Sequence, residues 1–198
     1  VSSATIAHQP FSFKDFLVRQ RVRLTVAIFL GTLAGEIFLG CKPPSPLGFH
    51  TPWVIAGTVP MLVGLLIRSW AAGMLVKRKR LASHGPYALV RHPLYLGSIL
   101  LMLGCALLTG MWWNLLICGA TALISFGAAI DSEERYLAGK FGDRWDTYAA
   151  ERGRLVPRSI AGDVAAFWNW KRWLKNREYN AWVGALIGWV GLLLWSWR

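Results

Sequence analysis

The chain has 198 residues, a net charge of +12, 55% hydrophobic residues and twelve Trp. The length suits one domain, and the apolar content is that of a small polytopic membrane protein rather than a soluble one. The basic residues lie between apolar runs, as in loops facing anionic headgroups, which argues for membrane lipids and against nucleic acid as the partner. Cys41, Cys105 and Cys118 are widely spaced and form neither a zinc pattern nor a disulfide framework, so no metal is expected. The opening VSSATIAHQP lacks the charged start, apolar run and small-residue cleavage site of a signal peptide.

Five apolar segments read as transmembrane helices, over 22–40, 53–76, 94–110, 112–130 and 181–197. The predicted fold is all-α: a single integral membrane domain over 1–198 with about five spans. Positive residues set the orientation. Lys14, Arg19, Arg21 and Arg23 precede the first span, Lys77, Arg78, Lys79, Arg80 and Arg91 separate the second and third, and ten more fall in 131–180. The opposite face holds only Lys42 and Arg198, so the N-terminus is expected in the cytoplasm. By the same reading, KRKR at 77–80 is a topological anchor. Gly31 with Gly35, and Gly184 with Gly188, have the four-residue spacing that lets helices approach closely, and are expected to pack within the molecule. DVAAFWNWKRWLKNR, 163–177, reads as an amphipathic helix lying in the cytoplasmic interface.

Glu36 and Arg68 are ionisable residues inside spans, which marks function or a buried pairing. Their depths differ by about 9 Å at 1.5 Å per residue, too far for a direct bond. Glu36 is expected to snorkel outward, and Arg68 either lines a substrate site or braces helices. Between the second and third spans, GPYALVRHPLYLG places Arg91 and His92 just before Pro93, a residue suited to the first turn of a helix. Free N–H groups and the helix dipole there favour an anionic ligand group, with Tyr87 and Tyr95 as aromatic neighbours; an interfacial anchor is the alternative. The fourth span is expected to end at Asp131, with Glu133 and Glu134 following. A hairpin of the third and fourth spans brings these acids back to Arg91. A ligand with a carboxylate, an ammonium and hydroxyls fits such a site, and S-adenosylmethionine has all three.

The segment 68–158 resembles the isoprenylcysteine carboxyl methyltransferase family of integral membrane enzymes, which is related to the phospholipid N-methyltransferases. GPYALVRHPLYLG is similar to its Gly-x-Tyr-x-x-x-Arg-His-Pro-x-Tyr-x-Gly signature. EERYLAGKFGDRWDTYAAERGRLVPR resembles its paired glutamates, then Phe-Gly, then Tyr and Arg before Pro, and LIRSWAAGML resembles its preceding helix. Trp145 stands where many members carry Tyr. The resemblance implies a cofactor- and substrate-binding core over 68–158, with S-adenosylmethionine held by Arg91, His92, Pro93, Tyr95, Glu133 and Glu134. Tyr87 joins that set. Arg154 is implied near the reacting carboxylate, with Arg91 as its catalytic companion and Arg68 on the substrate side. The lipophilic acceptor is expected to enter from the lipid of a bacterial inner membrane, to a site on the cytoplasmic side. A carboxylate acceptor needs no general base, whereas a phospholipid amine needs Glu133, Glu134, His92 or Tyr95 to take its proton. Two rivals are a sterol-reductase-like enzyme using NADPH and a non-catalytic scaffold. The first lacks an added basic motif for a second nucleotide. The second leaves the meeting of Arg91 with the acids unexplained.

Overall fold

The computed structural model describes residues 13–49, 51–76, 81–158, 164 and 167–197, with side chains of the first helix described at Gln20 and from Arg23 onward. The described residues form seven α-helices: α1 Phe13–Phe38, α2 Pro52–Met74, α3 Pro93–Leu108, α4 Trp112–Phe141, α5 Asp143–Glu151, α6 Trp170–Lys175 and α7 Tyr179–Ser196. A 3-10 turn, Gly85–Ala88, precedes α3. The β pairing among the described residues is one isolated parallel bridge, Val90 with Gly153. The anchor expected at 77–80 lies outside the described residues, as do residues 1–12.

α2, α4 and α7 are long and apolar enough to cross a membrane. α3 is shorter, at 16 residues, and sits at the centre of the bundle. One side of α3 joins α4 through Met102, Ala106, Cys118, Ala122 and Phe126, with Phe29 of α1 against them. Its other side joins α2 and α7 through Val54, Met61, Leu108 and Leu192. The outer faces are apolar as well: Leu66, Leu123, Ile124, Leu186 and Ile187 are exposed. A bundle that is greasy inside and out is built for lipid, because apolar patches of that extent are not left open to water.

Glycines set the closest helix contact, though not those expected. A Cβ at Gly64 would come within 2.6 Å of the Gly97 carbonyl oxygen, and one at Gly57 within 2.8 Å of the Gly104 carbonyl oxygen. Thus α2 and α3 meet backbone to backbone through two glycines each, seven residues apart. Gly31, Gly35, Gly184 and Gly188 have open space where a Cβ would be. The expectation that they pack inside the molecule is therefore corrected: they face outward.

α4 also differs from its expected end at 130. It continues to Phe141 because DSEERYLAGK is rich in helix formers and has no proline, and it stops at Gly142, whose φ of 51° suits a glycine. Asp131, Glu133 and Glu134 thus lie within the helix rather than beyond its C-terminus. Among the described residues of the helix expected over 163–177, only 170–175 are helical; 164 and 167–169 are not, and Asn169 is extended. The segment 167–169 and α6 satisfy carbonyl groups at the end of α2. Trp168 Nε1 donates to the Ser69 carbonyl at 2.9 Å, and Asn176 Nδ2 to those of Ala72 at 2.8 Å and Leu75 at 3.2 Å. The Ala72 and Leu75 carbonyls at the helix end lack an intrahelical partner and the Ser69 carbonyl accepts a second bond, so the arm is held by hydrogen bonds in place of a longer helix.

Glu36 and Arg68 do not pair with each other. Arg68 grips Glu178, ahead of α7, with Nε–Oε1 at 2.7 Å and Nη2–Oε2 at 3.0 Å, and donates from Nη1 to Ser98 Oγ on α3. Glu36 does not snorkel: it is 2% exposed and bonded to Trp113 and Asn114 of α4. Two strong donors at the start of α4 hold it inward.

Candidate active site

The site is assembled by three short stretches of chain. The first is the turn from Gly85 to His92, which ends in Pro93 at the first position of α3. The second is the inner part of α4. The third is 152–154, which follows α5 and runs beside the first. Arg91 N donates to the Gly153 carbonyl at 2.8 Å and His92 N to the Arg154 carbonyl at 3.1 Å. Gly153 is required there, because a Cβ would overlap the Val156 carbonyl oxygen in the turn that follows. α5 is fastened from the other side by Tyr148, whose hydroxyl donates to the Tyr87 carbonyl at 2.8 Å. Arg154 therefore arrives beside Arg91 through backbone pairing of residues more than sixty apart in sequence.

Glu134 is the focus. Its Oε1 lies 3.1 Å from His92 Nε2 and 3.3 Å from Arg91 Nη2, and its Oε2 accepts from Arg154 Nη2 at 2.8 Å. Arg154 Nη1 also meets Asp131 Oδ1 at 3.0 Å, one helical turn from Glu134. The Arg91 guanidinium lies over the Trp145 ring at 5.8 Å, and His92 and Tyr95 are ring neighbours at 5.6 Å, with Phe126 behind Tyr95. Burial lowers the His92 pKa below its ordinary value, the hydrogen bond to Glu134 opposing this only in part. His92 is therefore neutral near pH 7, with its Nε2–H donating to Glu134. Burial likewise pushes the phenols of Tyr87 and Tyr148 well up, so both remain hydroxyl donors.

Of the residues singled out in sequence, Arg91, His92, Glu134 and Arg154 are brought together. Pro93 is buried at the head of α3, and Tyr95 packs behind His92. Glu133 is exposed next to the cluster, within electrostatic reach of His92 and Tyr87. Arg68 stands apart on Glu178 and Ser98. Two buried donors of the turn, Arg91 Nε and Tyr87 Oη, have no hydrogen-bond partner. Trp145 and Tyr148 had no assigned place in the site; their three-residue spacing on the apolar face of a short helix after Gly142 is the signal that finds them. Among the described residues, no group of three or more His, Cys, Asp or Glu could hold a metal ion.

Residues 54–144 match the family described as phospholipid methyltransferase. Among curated proteins, the chain is 27% identical over 155 residues to the cobalt-zinc-cadmium resistance protein CzcN of Cupriavidus metallidurans, covering 73% of this chain and 67% of that one. It is 37% identical over 80 residues to the protein-S-isoprenylcysteine O-methyltransferase of Schizosaccharomyces pombe, covering 40% of this chain and 32% of that one. The chain thus spans about two thirds of the first relative and a third of the second. No solved structure matches. The family match includes the Arg-His-Pro turn, and together with the second relative it supports kinship with membrane methyltransferases.

Proposed function

We propose that this protein is an S-adenosylmethionine-dependent methyltransferase that acts at the membrane on a lipophilic carboxylate. The observation that carries the reading is the pair of buried, unpartnered donors, Arg91 Nε and Tyr87 Oη, beside an exposed carboxylate, Glu133. Desolvated donors without partners cost free energy unless a ligand takes them up. They match a ligand carboxylate or hydroxyl, while Glu133 matches an ammonium or ribose hydroxyls. The residues present therefore fit this cofactor.

When bound, the cofactor's sulfonium would supply a methyl group to an anionic oxygen by in-line displacement, the S–C bond pair remaining on sulfur. The chain's own part is positioning and charge. Arg154 reaches the surface, half exposed, on Glu134 and Asp131, where it can turn to an incoming carboxylate while its backbone stays pinned to His92. His92 holds Glu134 in place with a neutral N–H. No proton has to be removed from a carboxylate, so geometry and exclusion of water suffice. The basic loops support a path of five crossings with the site on the cytoplasmic side of a bacterial inner membrane.

The family's description favours a second reading, methylation of a phospholipid amine. That acceptor must lose a proton, and neutral His92 or Glu133 would be the base. One assay separates the two. Purified protein is incubated with methyl-labelled S-adenosylmethionine and membrane lipids or isoprenoid acids, and the products are treated with base. Label released as methanol identifies an ester and supports the carboxylate reading. Label that stays non-volatile, on the deacylated headgroup, identifies an amine acceptor and overturns it.

A further inference from the structure

At the end of the α1–α4 pair opposite Glu134, a second polar cluster lies buried. Glu36 is 2% exposed and Asn114 is fully buried. Glu36 Oε1 accepts from Trp113 Nε1 at 2.9 Å and from Asn114 Nδ2 at 2.7 Å. Asn114 Nδ2 also donates to Thr109 Oγ1 at 2.9 Å. The amide orientation is fixed by Thr109: its hydroxyl donates to the Ala106 carbonyl at 2.7 Å, so it must accept from Asn114. Both amide hydrogens are then used. Two acceptors in the same pair, Glu36 Oε2 and Asn114 Oδ1, are buried with no partner.

An ionised carboxylate beside an amide oxygen, both desolvated, is a poor arrangement, and one proton resolves it. We infer that Glu36 and Asn114 form a proton-binding site. The proton sits on Glu36 Oε2 and is donated to Asn114 Oδ1, closing with the Nδ2–H···Oε1 bond an eight-membered acid–amide ring. This gives every donor and acceptor of the pair a partner. A metal cation fits less well, since hard cations take six or more oxygens and the pair has two to spare. The titratable neighbours are thiols: Cys118, one turn further along α4 and within electrostatic reach of Glu36, and Cys105 of α3 beyond it. Cys41 and Lys42, in the loop after α1, line a cavity with Leu194 and Trp195 of α7. The site thus couples the packing of α1 on α4 to the presence of one proton.

The test uses the full chain in detergent. Infrared difference spectra of the wild type and Glu36→Gln should show a protonated carboxyl carbonyl band at neutral pH that the variant lacks. Thermal unfolding is followed in parallel as pH is raised. Glu36→Gln, which replaces the ring with an amide pair, should melt within a few degrees of the wild type at neutral pH. Between about pH 5 and 8, below the range of the thiols and phenols, the wild type should lose stability relative to Glu36→Gln as pH rises, because the unfolded carboxyl gives up its proton and the folded one keeps it. Glu36→Ala strands Asn114 and should melt lower by at least about 2–4 °C. Absence of the band, or a Glu36→Gln protein as unstable as Glu36→Ala, overturns the inference. So does stabilisation of the wild type, but not of Glu36→Gln, by sodium over a bulky organic cation, which would make the occupant a metal ion.

Discussion

Glu134 and Glu133 are adjacent in sequence and have different tasks. Glu134 is mostly buried and neutralises Arg91 and Arg154 while taking the His92 N–H. Arg154 is half exposed, so its pairing is screened by solvent. The Arg91–Glu134 pair, 11% and 13% exposed, sets the cost of removing the carboxylate, below the ~3–5 kcal/mol of a fully buried pair. Glu134→Gln should therefore lower the melting temperature markedly as well as weaken cofactor binding. Glu133 is exposed, and surface substitutions stay within about 0.5 kcal/mol. Glu133→Gln should melt like the wild type yet bind S-adenosylhomocysteine about tenfold more weakly, 1.4 kcal/mol. Calorimetry with unfolding curves for both variants checks the contrast. His92 adds a pH dependence. Its folded pKa is lowered from 6.5 by burial, so below that value the unfolded chain binds more protons than the folded one. Stability should fall as pH drops through about 6.5 and level off below the folded pKa. His92→Gln should flatten this slope in melting curves between about pH 5 and 8.

At the scale of elements, the placement of α3 depends on four glycines that touch backbone and not on the four that share a membrane-dimer spacing. Gly64→Ala would drive its Cβ into the Gly97 carbonyl, an overpacking cost of about 1–3 kcal/mol. Gly188→Ala meets open space and should be neutral or raise stability by up to about 1 kcal/mol, because alanine favours helix. Melting temperatures of the two variants decide between these. The sequence pattern conveyed which segments are helical and apolar, because that is written in composition and period. It did not convey which glycine faces a neighbour: Gly31–Gly35 and Gly57–Gly64 both sit in apolar helices, and only three-dimensional packing separates them. The extent of α4 is hidden in the sequence for a related reason. Apolarity stops at 130, but helix propensity continues to Gly142, so the membrane boundary and the helix boundary differ.

For the whole molecule, the Arg-His-Pro turn and the acids of α4 were legible as a site because their order and spacing match a signature. The pairing of Arg68 with Glu178 was not, since those residues are 110 apart and Glu178 reads as one acid in a basic stretch. The fold joins both ends of the chain around α3: α1 locks onto α4 through Glu36, and the C-terminal arm locks onto α2 through Trp168, Asn176 and Arg68. Under the proposed function, Arg91, His92, Arg154 and the α4 acids would hold a cofactor whose binding should stabilise the entire bundle. The central claim is therefore best tested by thermal unfolding of the detergent-purified protein with S-adenosylhomocysteine and, separately, with NADPH. At a hundredfold excess over its dissociation constant, a ligand specific for the folded state adds about 2.7 kcal/mol. A rise in melting temperature with S-adenosylhomocysteine alone is the predicted result. A rise with NADPH alone would contradict the account and make the protein a reductase.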